Sequence, residues 1–194
     1  MLITGLRLLN APVMGLQTGS ELARTRKAII NPRTLEITAY ELEGPLLNDH
    51  PSLLRIADVR EFSDIGLIVD SSDEFVGLDD IIKLREIYEL HFSPVGMPVV
   101  DENHHKLGKV ESYTIETGAF LIQQLLVKRP LFKSLNDTQL LVHRSQITEI
   151  SDTEIVVHSQ SEVPEPGLDA IRRDYTNPFR KRQQAEQIHE SSRQ

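Results

Sequence analysis

The chain has 194 residues, 39% hydrophobic and 26% charged, with a net charge of −8, no cysteine and no tryptophan. The hydrophobic share is enough for a soluble core, the 5% aromatic content makes that core one of Leu, Ile and Val, and zero cysteine excludes disulfides and thiolate chemistry. The acidic balance argues against non-specific binding to nucleic acid or an anionic membrane, because phosphate affinity is built mainly from Lys and Arg.

The opening MLITGLRLLNAPVMG lacks the basic region, continuous apolar stretch and cleavage pattern of a signal peptide. No apolar run reaches the ~18 residues that span a bilayer. The expectation is a cytoplasmic protein that does not insert in a membrane.

Taken in chain order, the sequence repeats itself. Residues 20–44 lie over 105–129, matching Leu22 to Leu107, Ala23 to Gly108, Ile30 to Ile115, Leu35 to Phe120 and Ile37 to Ile122. Pro12-Val13-Met14 lies over Pro98-Val99-Val100. EFSDIGLIVDS (61–71) returns as EISDTEIVVHS (149–159), so that Phe62, Leu67, Ile68 and Val69 correspond to Ile150, Ile155, Val156 and Val157. Apolar positions hold while lengths drift at turns, as expected of two copies of one strand framework.

Within the second copy the runs MPVVD, GKVESYTIE, AFLIQQLLVK, TQLLVHRSQITEI and TEIVVHS are short, β-branched and separated by turn signals. The repeated Ser-Asp reads as a hairpin turn between closing strands. Between the copies, Asp79-Asp80 followed by Ile81, Ile82, Leu84, Ile87, Tyr88 and Leu90 predicts a short helix with acidic residues in its first turn, ended before Pro94. The acidic cluster Asp70, Asp73, Glu74, Asp79 and Asp80 lacks the alternating ligands, central Gly and closing Glu of a calcium loop. It reads as a solvated connection.

The fold class expected is all-β: two tandem small antiparallel barrels over 1–75 and 94–160, a helical connection over 76–93, and a mobile charged tail over 161–194. The tail holds 6 basic and 6 acidic residues, against 9 and 13 in 1–85. Its few apolar groups cannot build a core of their own.

MPVVDENHHKLGKVESYTIETGAFLIQQLLVKRPL (97–131) resembles the PRC-barrel family: a Pro-Val strand, a polar turn, a Leu-Gly-Lys-Val step, a strand, an acidic-Thr-Gly turn and a further apolar strand. Leu107, Gly108, Lys109, Val110, Thr117 and Gly118 carry the likeness. Copy one departs from it, with Ala23 in the place of Gly108 and Pro32-Arg33 in the place of Thr117-Gly118. The resemblance implies docking rather than catalysis, since similar barrels occur in the H subunit of the photosynthetic reaction centre, a ribosome maturation factor and archaeal cell-division adaptors.

No glycine-rich phosphate loop, HExxH or GxSxG motif is present. His104-His105 is the one dense histidine feature. Adjacent strand residues face opposite sides, so it does not read as a metal site. No catalytic residue, metal or cofactor is therefore expected. The strongest binding candidate is the tail segment with Arg172, Arg173, Tyr175, Asn177, Pro178, Phe179, Arg180, Lys181 and Arg182, where aromatic anchors would fill pockets while the cations meet an acidic rim.

The sequence thus points to a prokaryotic, non-enzymatic adaptor for protein partners; a homo-oligomer is compatible with it. The alternative is an RNA-associated assembly factor bound to a ribosomal particle or RNA, favoured by the ribosomal relative and the basic tail and opposed by the acidic whole.

Overall fold

A computed structural model describes residues 1–45, 47, 49–129 and 139–158, all within one compact unit, Met1–Ser159. The described chain is mostly β, with one α-helix. Its strands are β1 (Leu2–Thr4), β2 (Pro12–Gly15), β3 (Ser20–Asn31), β4 (Glu36–Glu43), β5 (Ser52–Arg55), β6 (Glu61–Ser63), β7 (Gly66–Val69) and β8 (Phe75–Gly77). Helix α1 (Ile82–Glu89) follows, then β9 (Pro98–Asp101), β10 (Lys106–Glu116), β11 (Leu121–Lys128), β12 (Gln139–His143), β13 (Ile147–Ile150) and β14 (Ile155–Val157).

The repeated sequence makes a repeated pairing scheme. In the first half β5, β4, β3 and β2 pair antiparallel in that order, β2 continues parallel to β7, and β7 closes a hairpin with β6. In the second half β12, β11, β10, β9, β14 and β13 repeat every one of those pairings and directions. Register agrees residue by residue. Val13 faces Leu67 as Val99 faces Ile155, and Ile30 faces Ile37 as Ile115 faces Ile122. Val69 and Val157 sit at matching positions, opposite Gly15 and Asp101, and both are buried.

The bulges repeat too. β3 slips register between Thr25 and Lys27, and β10 does so between Val110 and Ser112. An extra residue there bends and twists a long strand. Residues 61–71 are two strands, and the repeated serine shapes their turn: Ser63 Oγ accepts from Ile65 N, and Ser151 Oγ accepts from Thr153 N and Glu154 N at 3.1–3.3 Å.

The halves do not stand apart. β4 and β11 meet at Glu36 and Leu121, so all 14 strands join one sheet network. The Ile37 amide donates to the Phe120 carbonyl and the Ile122 amide donates to the Leu35 carbonyl, each at 2.9 Å. This exchange is reciprocal, like the contact across a two-fold axis between identical subunits. Leu35 (φ 58°) and Phe120 (φ 49°) both adopt the left-handed region at the two turns that meet there. A bulky residue pays about 1–2 kcal/mol for that conformation. Burial of both side chains, at about 1.5–3 kcal/mol each, offsets the cost.

One hydrophobic cluster spans both halves, from Val13, Ile37 and Leu67 to Ile122, Leu125 and Ile155. A smaller one lies on the other face of the first half, where Ile29, Ala39 and Leu53 are covered by Leu84 of α1 and by Val76, Leu78 and Ile81.

Three expectations need correction. The two separate antiparallel barrels are instead one mixed sheet network, because β2 runs parallel to β7, β9 runs parallel to β14, and β4 joins β11. Asp79 and Asp80 do not begin the helix: they lie in a 3-10 turn, Leu78–Asp80, where Asp80 Oδ2 accepts from Gly77 N at 2.7 Å, and the helix starts at Ile82. A short polar side chain held by a backbone amide three residues back competes with helix continuation. The run TQLLVHRSQITEI is not one strand either, because a 3-10 turn at Arg144–Gln146 divides β12 from β13. The His143 amide donates to Gln146 Oε1 at 2.7 Å and stabilises that break. The first half has its own turn at the matching place, Ile56–Asp58, where Arg55 holds Asp58 through two bonds of 2.5 and 2.7 Å.

Candidate functional site

The N-terminal segment carries the chain between the halves. β1 pairs with β10 of the second half, Ile3 opposite Ile115, and the chain then turns to enter β2 of the first. Thr25 fastens the crossing: its hydroxyl donates to the Leu8 carbonyl at 2.6 Å and accepts from the Ala11 amide at 2.9 Å, fully buried. Gly5 lies against the Tyr113 ring, where a Cβ would stand 2.2 Å from a ring carbon. No larger residue fits there without moving Tyr113 or the segment.

This crossing builds a groove of 260 Å³ on the seam. Gly5, Leu6 and Leu9 of the crossing segment form one side, β3 contributes Arg26 to Ala28 and Ile30, β10 contributes Glu111 to Tyr113, and Ser93 and Val95 complete it. Arg26 and Glu111 are the bulge residues of the two long strands, so the repeated bulge places opposite charges on the rim. Leu6 (66%), Leu9 (40%) and Val95 (48%) remain exposed around the opening. Exposed apolar side chains grouped at a concave seam with a polar rim are what protein-binding surfaces present.

The charges at the opening are held in place. Arg26 pairs with Glu41 at 3.4 Å, the Lys27 ammonium stands 5.6 Å over the Tyr88 ring, and Glu111 Oε2 accepts from Gln139 Nε2 at 3.2 Å. Burial pushes the Tyr113 phenol up to about 12, and burial, with Tyr113 second, raises Tyr40 well above its ordinary value. Both phenols are neutral near pH 7, and neither is tuned as a general acid or base. The groove offers apolar contact, shape and a charged rim.

A second polar group surrounds the turn between β9 and β10. Asp101 Oδ1 accepts from the Asn103 and His105 amides at 2.8 Å, and its other oxygen lies 2.9 Å from His105 Nδ1. The His105 amide, ahead of its ring and the Asn103 amide, holds the Asp101 carboxyl below the usual carboxylate range. His104 faces Glu154 at 3.2 Å, and His158 faces Glu102 at 2.5 Å. The imidazoles are thus engaged in separate pairs. Among the described residues no group of three or more His, Asp or Glu could hold a metal ion.

Arg172, Arg173, Tyr175, Asn177, Pro178, Phe179, Arg180, Lys181 and Arg182 lie outside the described residues. Sequence reasoning missed the seam. Leu6, Leu9 and Val95 are ordinary apolar residues in sequence, and only the crossing of β1 to β10 makes them neighbours of the bulges. The available signal was the density of leucines in a stretch with no strand alternation, LRLLNAP at 6–12.

No protein-family model matches the chain, and no curated protein matches its sequence. Among the described residues no helix is long and apolar enough to cross a membrane.

Proposed function

We propose that the protein is a non-enzymatic adaptor of the prokaryotic cytoplasm, built from two tandem PRC-barrel-like units, which docks a protein partner on the seam groove and through the basic-aromatic segment Arg172 to Arg182. The observation that carries this reading is the groove itself, an apolar concavity ringed by exposed Leu6, Leu9 and Val95 and flanked by Arg26, Lys27 and Glu111. The occupant that fits is a protein segment presenting one or two aliphatic or aromatic side chains, because such anchors dominate interface energy when they enter a desolvated pocket. The internal Leu107-Gly108-Lys109-Val110 step and the duplicated pairing support the PRC-barrel reading.

The test is a photo-reactive amino acid placed at Leu6 in the full chain and activated in cells. A protein adduct at Leu6, absent when the same group stands at exposed Ile65 and lost on Val95→Asp, is expected. Equal labelling from both positions, or an adduct that survives Val95→Asp, overturns groove docking. Salt-sensitive recovery of ribosomal particles, lost when residues 161–194 are removed, would replace this reading with the RNA-associated one.

A further inference from the structure

The segment ahead of β2 crosses to the other half as a strand, and its counterpart ahead of β9 does not. β1 leads into β2 of the first half and pairs antiparallel with β10 of the second, Ile3 opposite Ile115. At the 86-residue offset that relates Pro12 to Pro98 (98 − 12), residues 2–4 match 88–90, which fall at the end of α1. β3 matches β10 at the offset of 85 that relates Leu22 to Leu107 (107 − 22), so the seat that β1 fills at 114–116 recurs at 29–31. Among the described residues no strand pairs with β3 there on the side away from β4.

Hydrogen bonding identifies the residues that face this empty side. In the second half the Ile122 amide, opposite Ile115, donates to the Leu35 carbonyl, Ile115 pairs with Ile3, and the Thr117 amide donates to the Met1 carbonyl. In the first half the Ile37 amide, opposite Ile30, donates to the Phe120 carbonyl in the same way, and the Ile29 carbonyl accepts from Thr38 Oγ1 on the β4 side. Backbone direction alternates along an antiparallel strand, so Ile30 and Ala28 present their amides and carbonyls outward. Both residues line the seam groove, and both are buried, 3% and 8% exposed. Buried backbone groups are nearly always paired in a finished structure. Pro32 takes the place of Thr117 and has no amide, so the open ladder ends at Ile30.

We propose that this edge of β3 receives an extended segment of the protein partner, added antiparallel to β3 with an aliphatic side chain opposite Ile30, in the role that Ile3 has opposite Ile115. Main-chain bonds to an open edge supply affinity, and pockets for alternate side chains supply selectivity. The buried seat of Ile3, 7% exposed, shows the side chain that such a position takes. Strand addition rests on the groove docking proposed above and specifies its form.

Ala28→Pro in the full chain tests strand addition separately from groove docking. The Ala28 amide faces away from β4, so proline at this edge position should keep the fold, read as an unchanged melting temperature. The cross-linked adduct at Leu6 should fall about tenfold or more in that variant, because the added strand loses its main-chain donor. A full Leu6 adduct in folded Ala28→Pro overturns strand addition and leaves groove docking standing, whereas no adduct on the wild-type chain overturns both. Hydrogen exchange on the purified wild-type chain gives a second reading that needs no variant. The Ile30 amide should exchange about tenfold or more faster than the Ile115 amide, which β1 holds. Equal protection of the two overturns the proposal, and so does Ile30 protection that falls on dilution, because a second copy would then fill the edge.

Discussion

Leu35 and Phe120 concentrate the physics of the seam in two residues. Each is buried and each holds a left-handed backbone that a side chain resists. Leu35→Ala should lose burial without relieving strain and cost about 2–5 kcal/mol in equilibrium unfolding. Leu35→Gly loses the same side chain but is released from the left-handed penalty, so it should be more stable than Leu35→Ala by about 1 kcal/mol, the reverse of the usual order. Chemical denaturation of the two variants checks the ranking; an alanine variant at least as stable would show that Leu35 carries no such strain.

Gly108 is the complementary case. A Cβ there would meet the Lys128 carbonyl oxygen at 2.2 Å, at φ 158°. The matching residue is Ala23, whose backbone lacks the positive φ of Gly108, so the first half takes a Cβ at this place. Gly108→Ala should therefore cost more than about 2 kcal/mol in thermal or denaturant unfolding, and Ala23→Gly only about 1. Similar losses at the two sites would mean that the halves do not solve the same contact differently.

At the scale of elements, the turns are where charge matters. Asp101 is buried in the turn between β9 and β10, and its carboxyl is held low by the His105 and Asn103 amides and the His105 ring. A depressed carboxylate contributes stability above its unfolded value, about 3.9, and loses it as pH falls through the lower folded value. Wild-type stability should fall on that acid limb, and Asp101→Asn, which keeps one oxygen for the two amides, should flatten it. A limb of unchanged steepness in denaturation measured from pH 5 downward, to about pH 2, would remove Asp101 from the account. The parallel pairing of β2 with β7 and of β9 with β14 departs from the antiparallel barrels expected, whereas the strand runs and their turns were legible at this scale because register ties faces to sequence: Ile30 with Ile37, and Ile115 with Ile122, keep one spacing. The helix start was not, since Asp80 caps Gly77 through a contact that no pattern of apolar residues encodes. Nor was the pairing of β1 with β10, which joins residues more than a hundred positions apart.

At the scale of the molecule, duplication explains why a chain with few aromatic residues can hold one core: two frameworks of six strands each share a cluster that neither closes alone. The sequence repeat made the doubling readable, but the seam that fuses the copies and shapes the groove depends on long-range geometry. If the halves are one folding unit, damage in one must reach the other. Native-state hydrogen exchange of Leu125→Ala tests this, because Leu125 is fully buried in the second half, while the Thr25 amide, bonded to the Ala11 carbonyl, reports on the first half and the Val110 amide, bonded to the Met97 carbonyl, on the second. Both amides should exchange at one slow, global rate, and both should accelerate together in the variant. Faster exchange at Val110 with Thr25 unchanged would contradict it, and the halves would then be separate units held side by side.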